Sequence, residues 1–345
     1  MNSHVASARS PNESAENAAC PICRQPDAVA CSPGRDRLFG LAPGDFSLLR
    51  CASCECIFQH PFPDDSSLAS FYPREYWWSE ESGQGRGLAR FFQNLEKAYR
   101  EFVVADHVRF LDYCFREKAP GGKFLLDIGC GNGTFLHVAQ IHGYSPHGMD
   151  QSARAIEIAQ KQYGFPARKG NIGSGIWDDC RFDFVTMFHV LEHLTEPRLC
   201  LRSAYELLQP GGVLIIQVPN ISSIQARLFG SSWYGLDVPR HVINYTSKAL
   251  GALLQDAGFE FRIVPRFSLR DNPAAIASSL APWLDPVRRK GRHRNSSPIW
   301  AGAMEIAYFG LVLMALPAAL LESALGFGGT LWAYAWKKQS VVGSG

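Results

Sequence analysis

Between residues 121 and 270, short apolar runs alternate with stretches whose apolar residues recur every three or four positions. The runs KFLLDIG, SPHGMD, ARKGN, FDFVTMF, GGVLIIQVP and FEFRIVPRF predict strands. Between them, GTFLHVAQIHG, SARAIEIAQKQYG, EPRLCLRSAYELLQ and SKALGALLQDAG predict helices. Several of these helices end in glycine, which accepts the left-handed backbone of a C-cap. Strict alternation of strand and helix predicts an α/β fold with a doubly wound, parallel sheet.

The flanks follow other patterns. Residues 66–120 begin with the aromatic stretch FYPREYWW and then turn helical, with Phe91, Leu95, Ala98, Phe102 and Ala105 at helical spacing. They are expected to form a linker or lid, with Tyr72, Tyr76, Trp77 and Trp78 either walling a pocket or packing between modules. Residues 18–65 hold six of the ten cysteines. Residues 1–17 are polar without an apolar core, and read as a disordered leader and not as a signal peptide. Downstream, the basic cluster RRKGRHR at 288–294 precedes a long apolar stretch, and TLWAYAWKK then reads as a last strand. Residues 271–328 are therefore expected as an apolar helical insertion before that strand, within a domain spanning 121–340.

Composition narrows the classes. A content of 46% hydrophobic and 19% charged residues belongs to a globular chain. A net charge of +2, with no basic stripe carrying interleaved aromatics, argues against a nucleic-acid partner. Ten cysteines without an export signal point to reduced thiols or metal ligands in a cytoplasmic protein.

The chemistry centres on LLDIGCGNGTFLH, residues 125–137. A strand, a glycine turn and a helix present backbone N–H groups and a positive dipole end to a ligand. The spacing is G-x-G-x-G after Asp127, and it departs from the G-x-G-x-x-G of dinucleotide binders. Asp150 lies seventeen residues beyond Gly133, where a carboxylate accepts both ribose hydroxyls or caps the next helix. Asn171 follows the third strand, as an adenine contact or a turn residue. An oxidoreductase using a nicotinamide cofactor fits the glycine spacing poorly, and a zinc-dependent interaction module with an inactive fold fits the intact Asp127 and Asp150 poorly.

LLDIGCGNG, GMDQS, GNI, FDFVTMFHVLEHL, LLQPGGVLIIQVPN and LLQDAGF occur in order over about residues 85–270. Together they resemble a class I S-adenosylmethionine-dependent methyltransferase. The resemblance implies a Rossmann-like, seven-stranded sheet with an antiparallel last strand. It also implies donor-binding roles for Asp127, Gly129, Cys130, Gly131 and Gly133 at the methionine part. Asp150, with Gln151 beside it, would serve the ribose, Asn171 and Ile172 the adenine, and the backbone of His189 the donor's amino acid.

CPIC (Cys20, Cys23) and CASC (Cys51, Cys54) are two C-x-x-C pairs separated by 27 residues. Each pair grips one face of a tetrahedral ion, so the four predict a structural zinc site in a ribbon whose middle forms a hairpin. Cys31 and Cys56 read as spectators, with Cys56 able to replace Cys54. A zinc ribbon ahead of this fold resembles a group of bacterial methyltransferases, some acting on sugars. The acceptor is thus expected to be a small molecule, a sugar or a lipid-linked glycan. For proton removal, His241 in DVPRHVINYT is the expected base, ahead of His193 and Glu192 in FHVLEHL. HVLEH with a later histidine also resembles the metal site of small-RNA 2′-O-methyltransferases, although His189 stands where that site has its first glutamate. Finally, 288–322 offers a peripheral membrane contact: residues 306–321 are sixteen uncharged positions, expected to be broken at Pro317 and too short to span.

Overall fold

A computed structural model describes residues 18–42, 44–72, 88–118, 121–292 and 298–338. The expected leader, Tyr76, Trp77, Trp78 and the end of the basic cluster lie outside them.

The chain opens with strands β1 (Ala28–Arg35), β2 (Asp45–Cys51) and β3 (Ile57–Gln59), then helices α1 (Asp65–Ser70) and α2 (Leu88–Lys118). The central segment runs β4 (Phe124–Ile128), α3 (Thr134–Ile141), β5 (Ser145–Asp150), α4 (Ala153–Tyr163), β6 (Ala167–Lys169) and β7 (Phe182–Phe188). It continues through α5 (Pro197–Leu207), β8 (Leu208–Pro219), α6 (Ile224–Phe229), β9 (Ile243–Asn244), α7 (Ser247–Asp256) and β10 (Glu260–Arg266). Helices α8 (Asn272–Leu280), α9 (Pro286–Arg292) and α10 (Pro298–Ala324) precede the last strand β11 (Thr330–Trp336).

The large sheet has seven strands in the order β10-β11-β8-β7-β4-β5-β6. Five pair in parallel, while β11 runs antiparallel to both β8 and β10. Strand β7, FDFVTMF, is buried on both faces almost throughout, which is why it reads as a continuous apolar run instead of alternating. Helix α4 starts on Ser152, whose side chain accepts from Ala155 N–H, and ends at Gly164 in the left-handed region. Helix α2 covers one sheet face: Val108, Phe110 and Leu111 join Leu125 of β4, Phe184 of β7 and Trp332 of β11 in one core. Helix α2 thus supplies part of the layer over the sheet.

The cysteine-bearing segment is welded to this body. Its hairpin β1–β2 and strand β3 form a second sheet completed by β9, which comes from far along the chain. Cys20, Cys51, Cys54 and Cys56 are buried in the same core as Leu191, Val242 and Tyr245. Thr246 Oγ1 donates to the carbonyl of Cys54 at 2.8 Å, and Gln59 N–H to that of Val242 at 3.0 Å.

Helices α8, α9 and α10 stand between β10 and β11. Contrary to the expected break, α10 runs 27 residues straight through Pro317. A proline removes one ladder bond, and here its flanking turns are held by Ala315 and Ala319, which are buried against the body.

Candidate active site

Chain direction reverses between β4 and β7, because β4 leads outward to β5 and β6 while β7 and β8 lie on its other side. The crevice beyond the carboxyl ends at such a switch point is where open α/β sheets bind ligands. Asp127, the glycine turn, Asp150 and His189 all lie at that edge.

Gly129, Gly131 and Gly133 have φ of 75°, 55° and 80°, a region that only glycine adopts cheaply. A Cβ on Gly129 would sit 2.5 Å from Val190, so the turn packs directly on the loop after β7. Four of the turn's N–H groups, which the sequence suggested would face a ligand, are bonded within the protein instead. Gly129 and Cys130 donate to the carbonyl of Met149, at 2.7 and 3.0 Å, and Gly133 to that of Cys130 at 3.0 Å. Gly131 donates to Asp150 Oδ2 at 3.0 Å. The turn closes on β5, and what it offers is close approach. Cys130 is buried, and its sulfur faces Gly148 of β5.

Asp150 is half-buried, and its other oxygen accepts from Ser152 N–H at 2.8 Å. Ser152 is the cap of α4, so the capping alternative for Asp150 falls away. Burial pushes the Asp150 carboxyl up, against the two hydrogen bonds that lower it. Behind it, Asp127 accepts from Thr186 Oγ1 at 2.6 Å, and burial, helped by Asp150, raises it to about 7. Gln151 and Asn171 are exposed and Ile172 partly so, in the two loops next along the edge.

The loop after β7 carries the second half of the site. His189 has φ of 56°, unusual for a residue with a side chain. Its N–H donates to the carbonyl of Gln217 at 2.9 Å, continuing the ladder to β8, so a backbone N–H contact to a donor is not available there. Its ring lies between Glu192 Oε1 at 3.3 Å and Asp271 Oδ2 at 3.2 Å. Burial works against a charged imidazole, but Asp271 and Glu192 outweigh it and hold His189 at about 9. Gln217 links Asp271, at 2.8 Å, to the buried His107 of α2, at 2.6 Å.

Glu192, His193 and His241 come together, each offering a ligand atom within 4.8 Å of the others. The loop that carries His241, the expected base, is packed into the body. Arg240 is fully buried, its guanidinium held by Asp237 at 2.6 Å and Asp36 at 3.0 Å, and His241 is buried beside it. His193 Nδ1 lies 3.0 Å from the Arg240 carbonyl and 2.9 Å from Tyr72 Oη, and His241 Nδ1 lies 2.8 Å from the Gly235 carbonyl. A carbonyl only accepts, so both Nδ1 atoms carry a proton, and each ring in its neutral form has its lone pair on Nε2. That is the arrangement of metal-ligating or proton-accepting histidines. His241 Nε2 is 4.0 Å from Glu192 Oε1, and the buried Glu192 Oε2 has no hydrogen-bond partner. Burial, with His241 alongside, lowers His193 to about 4.

Cys20, Cys23, Cys51 and Cys54 likewise converge, with sulfurs within 4.8 Å of one another. Backbone N–H groups of Ile22 and Cys54 point at the sulfurs of Cys20 and Cys51, at 3.4 and 3.3 Å. Four converging thiols in a knuckle pair are a donor set that fits zinc. Cys56, expected as a spectator or a substitute, is a fifth neighbour, 3.5 Å from the sulfurs of Cys20 and Cys54.

Residues 96–262 match the family described as Methyltransferase domain. The match takes in just under half of the chain. Within it lie the glycine turn, Asp150 and the histidine loops. A ubiquinone biosynthesis O-methyltransferase of Coxiella burnetii is 29% identical over 146 residues, covering 41% of this chain and 62% of that protein. The chain thus spans under two thirds of that relative's length. One of the same description from Pseudomonas paraeruginosa is 28% identical over 242 residues, covering 63% of this chain and 92% of that protein. Among solved structures, a SAM-dependent methyltransferase from Archaeoglobus fulgidus is 19% identical with a TM-score of 0.44, covering 72% of this chain and all of that one, 100%. The plantazolicin methyltransferase BamL is 15% identical with a TM-score of 0.46, covering 73% and 91%.

Asp271, Gln217 and Arg240 were not singled out in the sequence, whereas Tyr72, expected either to wall a pocket or to pack between modules, meets His193. Asp271, Gln217 and Arg240 take up their places through long-range packing.

Proposed function

We propose that this protein transfers a methyl group from S-adenosylmethionine to a hydroxyl of a small acceptor. The observation that carries the reading is the glycine turn closed on Asp150 at the switch point of a methyltransferase domain, beside two histidines with free Nε2 lone pairs. S-adenosylmethionine supplies a methyl group already activated by its sulfonium. Asp150 accepts from the ribose hydroxyls with the lone pairs left over from Gly131 and Ser152. Asn171 and Ile172 flank the adenine, and Asp127 and the close-approach turn hold the methionine part. His241 Nε2 receives the proton of the acceptor hydroxyl, and Glu192 steadies the imidazolium. The relatives support an O-nucleophile of the kind met in ubiquinone biosynthesis over the sugar or lipid-linked glycan suggested by the sequence.

A second reading of the same cluster rests on the convergence of Glu192, His193 and His241. These three residues fit a divalent cation, which would supply Lewis-acid polarisation of the acceptor hydroxyl. A thermal shift with S-adenosylhomocysteine and none with NAD is expected. Label from the methyl donor should enter a quinone-precursor fraction of cell extract and not a sugar fraction. Binding of S-adenosylhomocysteine without transfer to any fraction would favour an inactive interaction module. Activity lost to a chelator and restored by Mg²⁺ would favour the cation over the simple base.

A further inference from the structure

We propose that α10 docks this protein on an anionic lipid bilayer, lying in the membrane surface and not crossing it. Among the described residues, one helix segment, Trp300–Ala324, is long and apolar enough to span. Its attachment argues against that role. Ala315, Ala319 and Glu322 recur at spacings of four and three, and all three are buried against the body. Glu322 is fixed there, its carboxylate accepting from Gln225 N–H and Nε2, each at 2.8 Å. Farther up the helix, Tyr308 Oη lies 3.0 Å from Ser278 Oγ of α8. A helix held by one stripe from residue 308 to 322 has about 20 Å of its length against protein and cannot have lipid all round.

The opposite side is apolar and open. Ile306 is 76% exposed, Met314 72% and Leu321 62%, with Leu313 and Leu320 about half exposed. Trp283, between α8 and α9, is also 61% exposed. A patch of this extent marks an interaction surface, since soluble monomers rarely leave one open.

Charge selects the occupant. Residues 286–304 contain five lysines and arginines, Arg288, Arg289, Lys290, Arg292 and Arg294, and no acidic residue. Glu305, the first carboxylate beyond them, is paired with Arg289 at 2.6 Å. From 306 to 321 the helix carries no charge. A basic segment leading directly into an exposed apolar face supplies the two signals, electrostatic and hydrophobic, that stable binding at an anionic interface requires.

The test is co-sedimentation of the full chain with preformed vesicles, made either of phosphatidylglycerol with phosphatidylcholine or of phosphatidylcholine alone. Sedimentation velocity without lipid runs in parallel. The wild type should bind the anionic vesicles at least about tenfold better than the neutral ones, with the preference weakening at high salt. The triple variant Ile306→Glu, Met314→Glu, Leu321→Glu should lose that binding while keeping wild-type affinity for S-adenosylhomocysteine, which shows that it is folded. Three results would overturn the proposal. The triple variant could bind as well as wild type. The wild type could bind no vesicles yet self-associate through this face, identifying a second copy as the occupant. Or it could associate only when synthesised in the presence of vesicles, which would make α10 a spanning helix.

Discussion

Replacing Asp150 tests the donor site most directly. Both of the carboxylate's oxygens already accept a backbone N–H group, from Gly131 at 3.0 Å and Ser152 at 2.8 Å. A carboxylate offers about four lone-pair sites, so roughly two remain, which is what the two hydroxyls of a ribose need. A hydrogen bond to a charged group contributes about 1.5–3 kcal/mol, and water recovers part of it at a half-buried position. Asp150→Ala should therefore weaken S-adenosylhomocysteine by about 2–4 kcal/mol, roughly 30- to 1000-fold in Kd. The same change strips two backbone donors of their acceptor, so stability should fall by about 1 kcal/mol for each. Asp150→Asn keeps one acceptor oxygen while setting its amide against one N–H, and should lie between wild type and Ala in both respects. Calorimetric titration with S-adenosylhomocysteine reads the affinity, and melting without ligand reads the fold. If both variants stay folded and bind within about threefold of wild type, the carboxylate holds the turn together and does not hold the ribose.

His241→Ala should lower turnover by about 10²- to 10⁴-fold with donor affinity intact, whereas His193→Ala should cost less; near-normal turnover in the first would remove His241 as the base. One zinc per chain is expected by elemental analysis, and a Cys20→Ser, Cys51→Ser double variant should lose it and melt earlier; full metal retention would discard the site. Arg240→Met leaves Asp36 and Asp237 without their buried guanidinium and should destabilise by about 3–5 kcal/mol, read by chemical denaturation; a change under about 1 kcal/mol would refute the role given to that triad. Asp127 stays protonated up to about 7 in the folded chain against 3.8 in the reference state, so its contribution is fully present below about 3.8 and lost as pH rises through 7. Asp127→Asn should accordingly gain in ligand-free melting temperature relative to wild type between pH 4.5 and 8, and an unchanged difference would contradict the assignment.

The sequence disclosed what short-range physics encodes. Strands buried on both faces had to be continuous apolar runs, and the sheet followed from their alternation with helices, including TLWAYAWKK as β11. The glycine turn was visible because positive φ leaves glycine little competition. What the turn does with its N–H groups was not visible, since the acceptors, Met149 and Asp150, belong to the neighbouring strand. Strand β9 has two residues and no periodicity to display. The buried pair Arg240–Asp36 joins positions 204 apart, a separation no local pattern reports. Pro317 misled because a proline's local cost was weighed without the packing of Ala315 and Ala319 around it.

These long-range contacts give the cysteine segment a purpose beyond its own stability. Asp36 and the Phe71 carbonyl hold the Arg240 guanidinium, at 3.0 and 3.3 Å, from the N-terminal side. The Arg240 carbonyl fixes the proton of His193, and His241 is the next residue. Three residues later, β9 pairs with β3, and Thr246 ties back to Cys54. The loop that presents His241 is therefore clamped on both sides by the segment that carries the four thiols. A donor site built on β4 and β5 shares none of those contacts. Loss of metal from the thiols should accordingly move the histidines before it moves the donor, lowering turnover while S-adenosylhomocysteine still binds. That split would not arise if the ribbon were an appended binding module, because removing its metal would then leave turnover on a small acceptor unchanged.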